Sequence, residues 1–277
     1  MILVTGANGN VGNPLLRELH ARREGPLRGL TRDVARADFP AGVEAVEGDF
    51  AEPETLKPAL DGVRSLFLGP RLGPDTGIVD AARMAGVRHV VLVTSLTVQS
   101  HPHLGPALEF RAVEKLLRDS GMDWTILRPT QFASNALMWA PQIRENATVR
   151  APFADTGLPT IHPADIASVA RVALTEPGHH GQTYALTGPE PVTPRQQAET
   201  IAAALGREVP FMEIDRQEAH AQIAAFFGAE AADAVLDVTG GDVNDELLRV
   251  RDTVSQVAGT PARTFGQWVA ENVALFR

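Results

Sequence analysis

The first half of the chain alternates short apolar runs with amphipathic stretches. The apolar runs, which lack polar alternation, lie at residues 2–4, 27–31, 43–46, 65–68, 89–93 and 124–127. The stretches with helical periodicity lie at residues 14–19, 54–60, 76–85 and 107–118. Strands that are apolar on both faces are typical of a parallel sheet covered by crossover helices. The pattern therefore predicts an α/β fold with a doubly wound parallel sheet.

The regular alternation of apolar runs and amphipathic stretches ends after residue 130. The elements predicted beyond it are helices at residues 132–143, from 163 and at 193–205, strands at 183–186 and 209–214, and a last helix capped by Thr264. We expect residues 1–130 to form the sheet domain and residues 131–277 to form mainly a smaller α+β lobe over a crevice. The stretch from about 147 to 188 is expected to interleave with the last elements of the sheet domain.

Composition narrows the class of protein. The chain has 277 residues, 44% of them hydrophobic, with no cysteine and a formal net charge of −9. An ordinary hydrophobic content excludes a disordered chain, and the lack of cysteine excludes disulfides and thiolate metal sites. The acidic balance without a basic run argues against nucleic-acid binding. With no secretory signal and no apolar span of about 18 residues, we expect a cytoplasmic monomer or homodimer that binds no membrane.

The strongest motif is a glycine-rich loop between the first strand and the first helix. Gly6 permits a tight turn, Gly9 permits backbone approach to a pyrophosphate, and Gly12 permits close packing of helix and strand. The candidate cofactor-binding residues of this loop are Gly6, Asn8, Gly9, Asn10, Val11 and Gly12. Free N–H groups at the helix start would meet phosphate oxygens. The alternative is a turn with a structural role only.

The ends of the later strands supply further candidates for dinucleotide binding. A carboxylate that would bind the adenosine ribose is missing after strand two, and Arg32 is available there for a 2′-phosphate, or else is a solvated arginine. Asp49 and Phe50 are placed to contact adenine, although Asp49 is equally suited to cap the next helix. The remaining cofactor candidates are Leu68, Gly69, Pro70, Thr94, Lys115, Pro129 and Thr130. NADP(H) is slightly favoured over NAD(H).

These motifs resemble the NmrA-like branch of the atypical short-chain dehydrogenases/reductases. The resemblance rests on residues 5–12, Arg32-Asp33, residues 48–50, 94–96 and 114–121, and it extends through residues 124–129, 160–172 and 181–186. Within that branch it is closest to NAD(P)H:quinone oxidoreductases and triphenylmethane reductases. The resemblance implies a Rossmann domain, a small C-terminal substrate lobe and usually NADPH.

The candidate catalytic residues are Ser95 and Lys115. Typical short-chain dehydrogenases combine a serine with a Tyr-x-x-x-Lys pair, but the tyrosine position here is Arg111, and the only tyrosine, Tyr184, lies in a late strand. Tyrosine-assisted carbonyl reduction is therefore not expected, whereas a quinone accepts hydride with less help. Ser95 is also suited to cap the next segment, and Lys115 to pair on the helix surface with Glu114 or Asp119.

Substrate-binding candidates follow the sixth strand. Phe132, Asn135, Met138 and Trp139 recur at helical spacing and predict either an aromatic wall beside the nicotinamide or plain core packing. The histidines show no metal-ligand spacing, so no metal site is expected.

The sequence thus predicts an NAD(P)H-dependent oxidoreductase that transfers hydride to a quinone or other planar conjugated small molecule. Two alternatives stay open. One is a regulator that senses redox state by binding the dinucleotide without turnover. The other is a tailoring enzyme of aromatic natural products, including oxygenation chemistry. A roomy apolar pocket over the nicotinamide favours catalysis, and a filled one favours the regulator.

Overall fold

The computed structural model describes residues 1–49, 52–69 and 76–277. Its strands are β1 Ile2–Val4, β2 Leu27–Thr31, β3 Glu44–Glu47, β4 Ser65–Leu68, β5 His89–Val93, β6 Asp123–Pro129, β7 Val149–Ala151, β8 Gln182–Leu186 and β9 Phe211–Glu213. Its α-helices are α1 Gly12–Ala21, α2 Leu56–Leu60, α3 Thr76–Met84, α4 Thr97–Ser100, α5 Gly105–Asp119, α6 Ala140–Asn146, α7 Pro163–Thr175, α8 Pro194–Leu205, α9 Arg216–Phe227, α10 Ala229–Leu236, α11 Asp245–Leu248, α12 Thr253–Ala258 and α13 Phe265–Asn272. Short 3₁₀ turns at Val34–Arg36, Pro53–Thr55, Ala133–Trp139 and Val273–Phe276, and a π turn at Asp237–Gly241, complete the set.

Seven strands form one parallel sheet in the order β3-β2-β1-β4-β5-β6-β8. Alternate residues of β1 point to opposite faces: Val4 packs with α1 and α7, and Leu3 packs with α2, α3 and α5. Because helices cover both faces of the sheet, β1, β4 and β5 are apolar and buried along most of their length, whereas the edge strand β3 carries Glu44 and Glu47 and is partly exposed. The predicted doubly wound Rossmann fold is confirmed.

Beyond residue 130, elements alternate between the main sheet and a second body. Helix α7 packs against α1, and β8 adds the last strand to the main sheet. In contrast, β7 pairs in parallel with β9. This small sheet shares a separate apolar core with α6, α8 and α13, in which Trp139, Ile201 and Trp268 are buried. We call the unit formed by residues 133–151, 192–241 and 264–277 the cap. The division into two domains at residue 130 stays a prediction.

Helix-capping side chains determine where α8 and α13 begin. Thr193 and Thr264 each accept a hydrogen bond from the third helical N–H, and the glutamine there bonds back, which completes a capping box at α8 and at α13. Helix α7 carries Pro163 in its first turn, as predicted. The predicted helix at 132–143 is instead a 3₁₀ segment followed by α6. Within the described residues, no helix combines the length and apolar character needed to cross a bilayer.

Candidate active site

The glycine loop is wound tightly enough to require glycine. Gly6 has a φ of 59°, and the N–H of Gly9 donates to its carbonyl oxygen at 2.8 Å. A Cβ on Gly12 would lie 2.3 Å from that same oxygen, and one on Gly9 would lie 3.0 Å from it. Thus the carbonyl of Gly6 occupies the space that side chains at positions 9 and 12 would need.

The loop presents backbone donors at the start of α1. The N–H groups of Asn10, Val11 and Gly12 make no hydrogen bond with any of the described residues. Asn8 fixes the loop to β2 because its Nδ2 donates to Thr31 Oγ1 at 2.9 Å. Unpaired N–H groups at the positive end of a helix bind phosphate. These residues therefore fit the pyrophosphate of a dinucleotide.

Two arginines follow β2 on the adenosine side of this loop. Arg32, the predicted partner of a 2′-phosphate, is exposed. Arg36 lines a cleft of about 590 Å³ together with Asn8, Gly9 and Asn10, and its Nε lies 3.3 Å from an oxygen of Asp33. Arg36 was not predicted as a site residue, because nothing in the local pattern indicates that the 3₁₀ turn at Val34–Arg36 lies beside the glycine loop.

The ends of β3 and β4 lie beside the loop. Asp49 is half-buried, and its N–H donates to Thr55 Oγ1 at 2.9 Å. Leu68 is buried, and the N–H of Gly69 donates to Thr5 Oγ1 at 2.9 Å, which joins β4 to β1. The predicted contacts of Phe50 and Pro70 lie outside the described residues. Cofactor contacts by the other three residues stay predictions.

Ser95 follows β5 at the carboxyl edge of the sheet, where open α/β sheets place ligands. Its Oγ accepts two hydrogen bonds from Thr97, one from the N–H at 3.1 Å and one from the hydroxyl at 2.9 Å. The serine therefore holds the first turn of α4, as the capping alternative predicted. Within the described part of the chain, the Ser95 side chain makes no hydrogen bond besides these two.

A buried ion pair lies behind this edge. Glu114 is fully buried and accepts two hydrogen bonds from Arg128, from Nε at 2.9 Å and from Nη2 at 2.6 Å. The hydroxyl of Thr94 donates to the same carboxylate at 2.9 Å, and Arg118 Nη1 lies 3.3 Å from it. The hydroxyl of Thr94, a predicted cofactor contact, is thus hydrogen-bonded to Glu114. The network ties α5 to the ends of β5 and β6, and the sequence analysis did not foresee it.

Lys115 lies on the solvent side of α5. Its ammonium group pairs with Asp119, and 76% of its side chain is exposed. Arg111, at the position of the missing tyrosine, is exposed as well. The structure thus matches the surface ion pair that was the alternative for Lys115, and it does not bring Lys115 to Ser95. A cofactor or catalytic role for Lys115 stays a prediction.

The carboxyl ends of β6 and β8 lie side by side at the same edge of the sheet. Pro129 is buried at the end of β6, and its carbonyl accepts from the N–H of Leu96 at 2.9 Å. Thr130 is also buried, and its N–H donates to Leu186 O at 2.9 Å. Their predicted cofactor contacts would be made at this edge. Tyr184 lies away from it and bonds His179 through its hydroxyl at 2.8 Å.

An apolar pocket of about 410 Å³ opens beyond β6. All four predicted substrate residues line it: Phe132, Asn135, Met138 and Trp139. The opposite wall comes from α9 and α10 and includes Ile223, Phe226, Phe227 and Leu236. That wall could not be predicted, because nothing in the local sequence of α9 indicates which element the helix faces. The pocket has the size and apolar walls of a small-molecule site.

Where the cap meets α7, buried titratable groups join the two bodies. His162 Nδ1 accepts from the N–H of Ala164 at 3.1 Å, and its Nε2 lies 3.2 Å from Glu271 Oε2 without hydrogen-bond geometry. Burial lowers the pKa of His162, against the opposing effect of Glu271. Burial also raises the pKa of Asp165, which is opposed by its hydrogen bonds from Arg263. The described residues contain no cluster of acidic and histidine side chains arranged to hold a metal ion.

Comparison with known proteins agrees with this geometry. The model of a family described as NAD(P)H-binding matches residues 6–177. The (4-alkanoyl-5-oxo-2,5-dihydrofuran-3-yl)methyl phosphate reductase of Streptomyces griseus is 37% identical, over 100% of this chain and 99% of the relative. The NAD(P)H azoreductase of Xenophilus azovorans is 35% identical, over the same shares of both chains. An NADPH-dependent quinone oxidoreductase of Escherichia coli, solved with NADPH, superposes with a TM-score of 0.80 at 27% identity and full coverage of both chains.

The fold and the glycine loop define a dinucleotide-binding oxidoreductase of the atypical short-chain type. The chain belongs to the NAD(P)H-binding family that matches residues 6–177. It is an NAD(P)H-dependent oxidoreductase, and its predicted resemblance to quinone oxidoreductases is confirmed. Its cofactor is NAD(P)H, and the slight preference for NADP(H) stays a prediction.

Proposed function

We propose that the chain transfers hydride from NAD(P)H to a quinone or another planar conjugated small molecule held in the apolar pocket. The observation that carries the proposal is this open pocket of about 410 Å³, which begins at Gln131 and Phe132 directly after β6. Open α/β sheets bind their ligands at that edge. A flat acceptor would find apolar contacts on both walls there.

The names of the relatives support an acceptor with conjugated double bonds. An azo group, a quinone and an unsaturated lactone, which occur in the names of the relatives' substrates or activities, share an electron-poor conjugated system. NAD(P)H supplies the hydride when it is bound. The free N–H groups at the start of α1 would hold its pyrophosphate.

The chain's own contribution to chemistry is positioning rather than proton transfer. Ser95, which follows β5 at the carboxyl edge of the sheet, would donate a hydrogen bond to a carbonyl oxygen of the acceptor. No tyrosine stands at the position occupied by Arg111, so the reduced product would take its proton from solvent. Close approach of the nicotinamide and the acceptor would supply most of the rate acceleration.

The test is oxidation of NADPH and NADH against neutral quinones, azo compounds and unsaturated lactones, with binding of both nucleotides measured in parallel. We expect turnover with at least one conjugated class, and a slower single turnover with nicotinamide deuterated at the transferred position. Steady-state rates alone would not suffice, because product release masks the isotope effect. Nucleotide binding without oxidation of NAD(P)H by any acceptor would refute the proposal and favour the redox-sensing regulator.

The Ser95 role is tested separately. Ser95→Ala should lower kcat for a quinone by about tenfold, because one hydrogen bond that strengthens in the transition state is lost. Thr97→Val is the matched control, since it disturbs the same α4 turn and keeps the Ser95 hydroxyl. Equal losses in both variants would make Ser95 a capping residue only.

A further inference from the structure

One residue gives the apolar pocket its charge. Within the described part of the chain, the side chains that line the pocket include amides, a few hydroxyls and a single charged group, that of Arg150. No aspartate, glutamate, lysine or histidine is among them. The chain as a whole carries a net charge of −9, so a negative ligand gains nothing from the overall field. Any preference for an anion would therefore come from Arg150.

The guanidinium of Arg150 is only partly engaged. Arg150 lies in the middle of β7, with 44% of its side chain exposed. Its Nη2 donates to Glu218 Oε1 at 2.6 Å, and this is the side-chain hydrogen bond that it makes with the described residues. A guanidinium has five N–H donors in a planar fork, which bind a carboxylate or phosphate in pairs. Most of that fork is free.

Glu218 is able to release Arg150 at small cost. It lies in the first turn of α9, where a negative charge is favourable near the helix N-terminus. Its Oε1 also accepts from Gln222 Nε2 at 3.2 Å, and its side chain is 41% exposed. An exposed ion pair of this kind contributes little stability. Exchange of Glu218 for an anionic group of the ligand is therefore feasible.

We propose that the acceptor is a planar conjugated molecule with one anionic substituent, a carboxylate, phosphate or sulfonate, which Arg150 binds in place of Glu218. This inference rests on the proposed function, because it names the class of acceptor for the same pocket. Arg150 thereby determines specificity and takes no part in hydride transfer.

The kinetic test uses a naphthoquinone with a propanoate side chain and its methyl ester, which share the same ring. Arg150→Met should lower kcat/KM for the acid by about tenfold, the effect of a lost charge-assisted hydrogen bond, and for the ester by less than about twofold. Glu218→Gln should raise kcat/KM for the acid, because it removes the competing carboxylate. Arg150→Lys should keep part of the preference. Equal losses for acid and ester in Arg150→Met would overturn the proposal.

The matched control is Arg83→Met. Arg83 is an exposed arginine on α3 that pairs with Asp80 at 3.6 Å and does not line the pocket. The substitution changes the net charge by the same amount as Arg150→Met and should leave both substrates unaffected. A similar loss for the acid in Arg83→Met would also overturn the proposal, since the effect would then be one of overall charge.

A binding test separates the two proposals. Calorimetry with naphthalene-2-carboxylate and its methyl ester, in the presence of NADP⁺, requires no turnover. Tighter binding of the acid, lost in Arg150→Met, would support the role of Arg150 even if neither quinone were reduced, in which case only the proposed function fails. Turnover of the ester without any preference for the acid would leave the proposed function intact and refute the role of Arg150.

Discussion

The glycine loop and the apolar pocket are built in opposite ways. The loop comprises contiguous residues from Gly6 to Gly12, and it works through backbone N–H groups and a carbonyl that excludes side chains. The pocket takes its walls from segments between residues 131 and 239, and it works through side chains. Consequently a single added methyl group should abolish nucleotide binding by the loop. Binding of the acceptor in the pocket should instead weaken gradually with each side chain that is replaced.

The largest effect is expected from Gly12→Ala. The new Cβ would lie 2.3 Å from Gly6 O, so the loop must shift. We expect a loss of about 1–3 kcal/mol in the free energy of unfolding, as for other overpacked sites. NADPH affinity should fall at least about hundredfold, because several N–H contacts to phosphate are lost together. Urea unfolding and fluorescence titration with NADPH measure the two losses.

The control for this prediction is Gly266→Ala in the first turn of α13. A Cβ there has no neighbour closer than 3.7 Å, so alanine should be neutral or stabilise the helix by up to about 1 kcal/mol. NADPH affinity unchanged in a folded Gly12→Ala protein would show that the loop does not depend on its backbone geometry.

The next largest effect is expected from the hydrogen-bonded ion pair between Glu114 and Arg128. Glu114→Gln removes the charge that faces Arg128 and should cost about 3 kcal/mol of unfolding free energy, because Arg128, with only 15% of its side chain exposed, is left without a counter-charge. Asp119→Asn, which removes an exposed partner of Lys115 on the same helix, should cost less than about 0.5 kcal/mol. Similar denaturation midpoints for the two variants would mean that the buried network contributes nothing special.

Discrimination between the two nucleotides should rest on one exposed side chain. Arg32→Ala is expected to weaken NADPH binding by about tenfold and NADH binding by less than about twofold, since only the 2′-phosphate is lost as a partner. Arg36→Ala, four residues further on, tests the arginine that lines the cleft. Parallel losses for both nucleotides in Arg32→Ala, or a wild-type preference for NADH, would contradict this assignment.

The smallest effect is expected in the pocket. Met138 lines it and is 56% exposed, so Met138→Ala should lower kcat/KM for a neutral quinone by about fivefold, the effect of about 1 kcal/mol of lost apolar contact. NADPH affinity should not change. Met84→Ala, at a methionine of α3 that is 79% exposed and outside the pocket lining, should change neither. A loss of NADPH affinity in Met138→Ala would mean that pocket and loop are not independent.

The same contrast explains what the sequence could predict. The glycine loop and the helix cap Thr264 depend on residues adjacent in the chain, and both were predicted from the local pattern. The central strands β1, β4 and β5 were predicted because burial on both faces leaves continuous apolar runs. The spacing of Phe132 to Trp139 left a pocket wall and core packing equally open. In the structure all four residues line one pocket on a 3₁₀ backbone, and Trp139 also belongs to the buried core of the cap.

Features formed by residues that are distant in the chain could not be predicted from the sequence. Thr94 matched a cofactor position, but its hydroxyl bonds Glu114, which is 20 residues away. Lys115 matched a catalytic pattern, but the rotation of α5 about its axis, set by packing of Val113 and Leu117, turns it to solvent. The one local signal for the network was the carboxylate of Glu114 among the apolar positions of an amphipathic helix, where a buried charge demands a partner.

The pairing of β7 with β9 bears on how the chain assembles and how it can be recombined. Residues 152–210 lie between these two strands, and they include α7 and β8, which belong to the main sheet. The small sheet is therefore a non-local contact that closes only after a long loop of chain has been ordered, a step that is slow in folding. A chimera that takes its cap from another protein must therefore be joined at several crossover points. A single contiguous insert would carry β8, a strand of the main sheet, along with the cap.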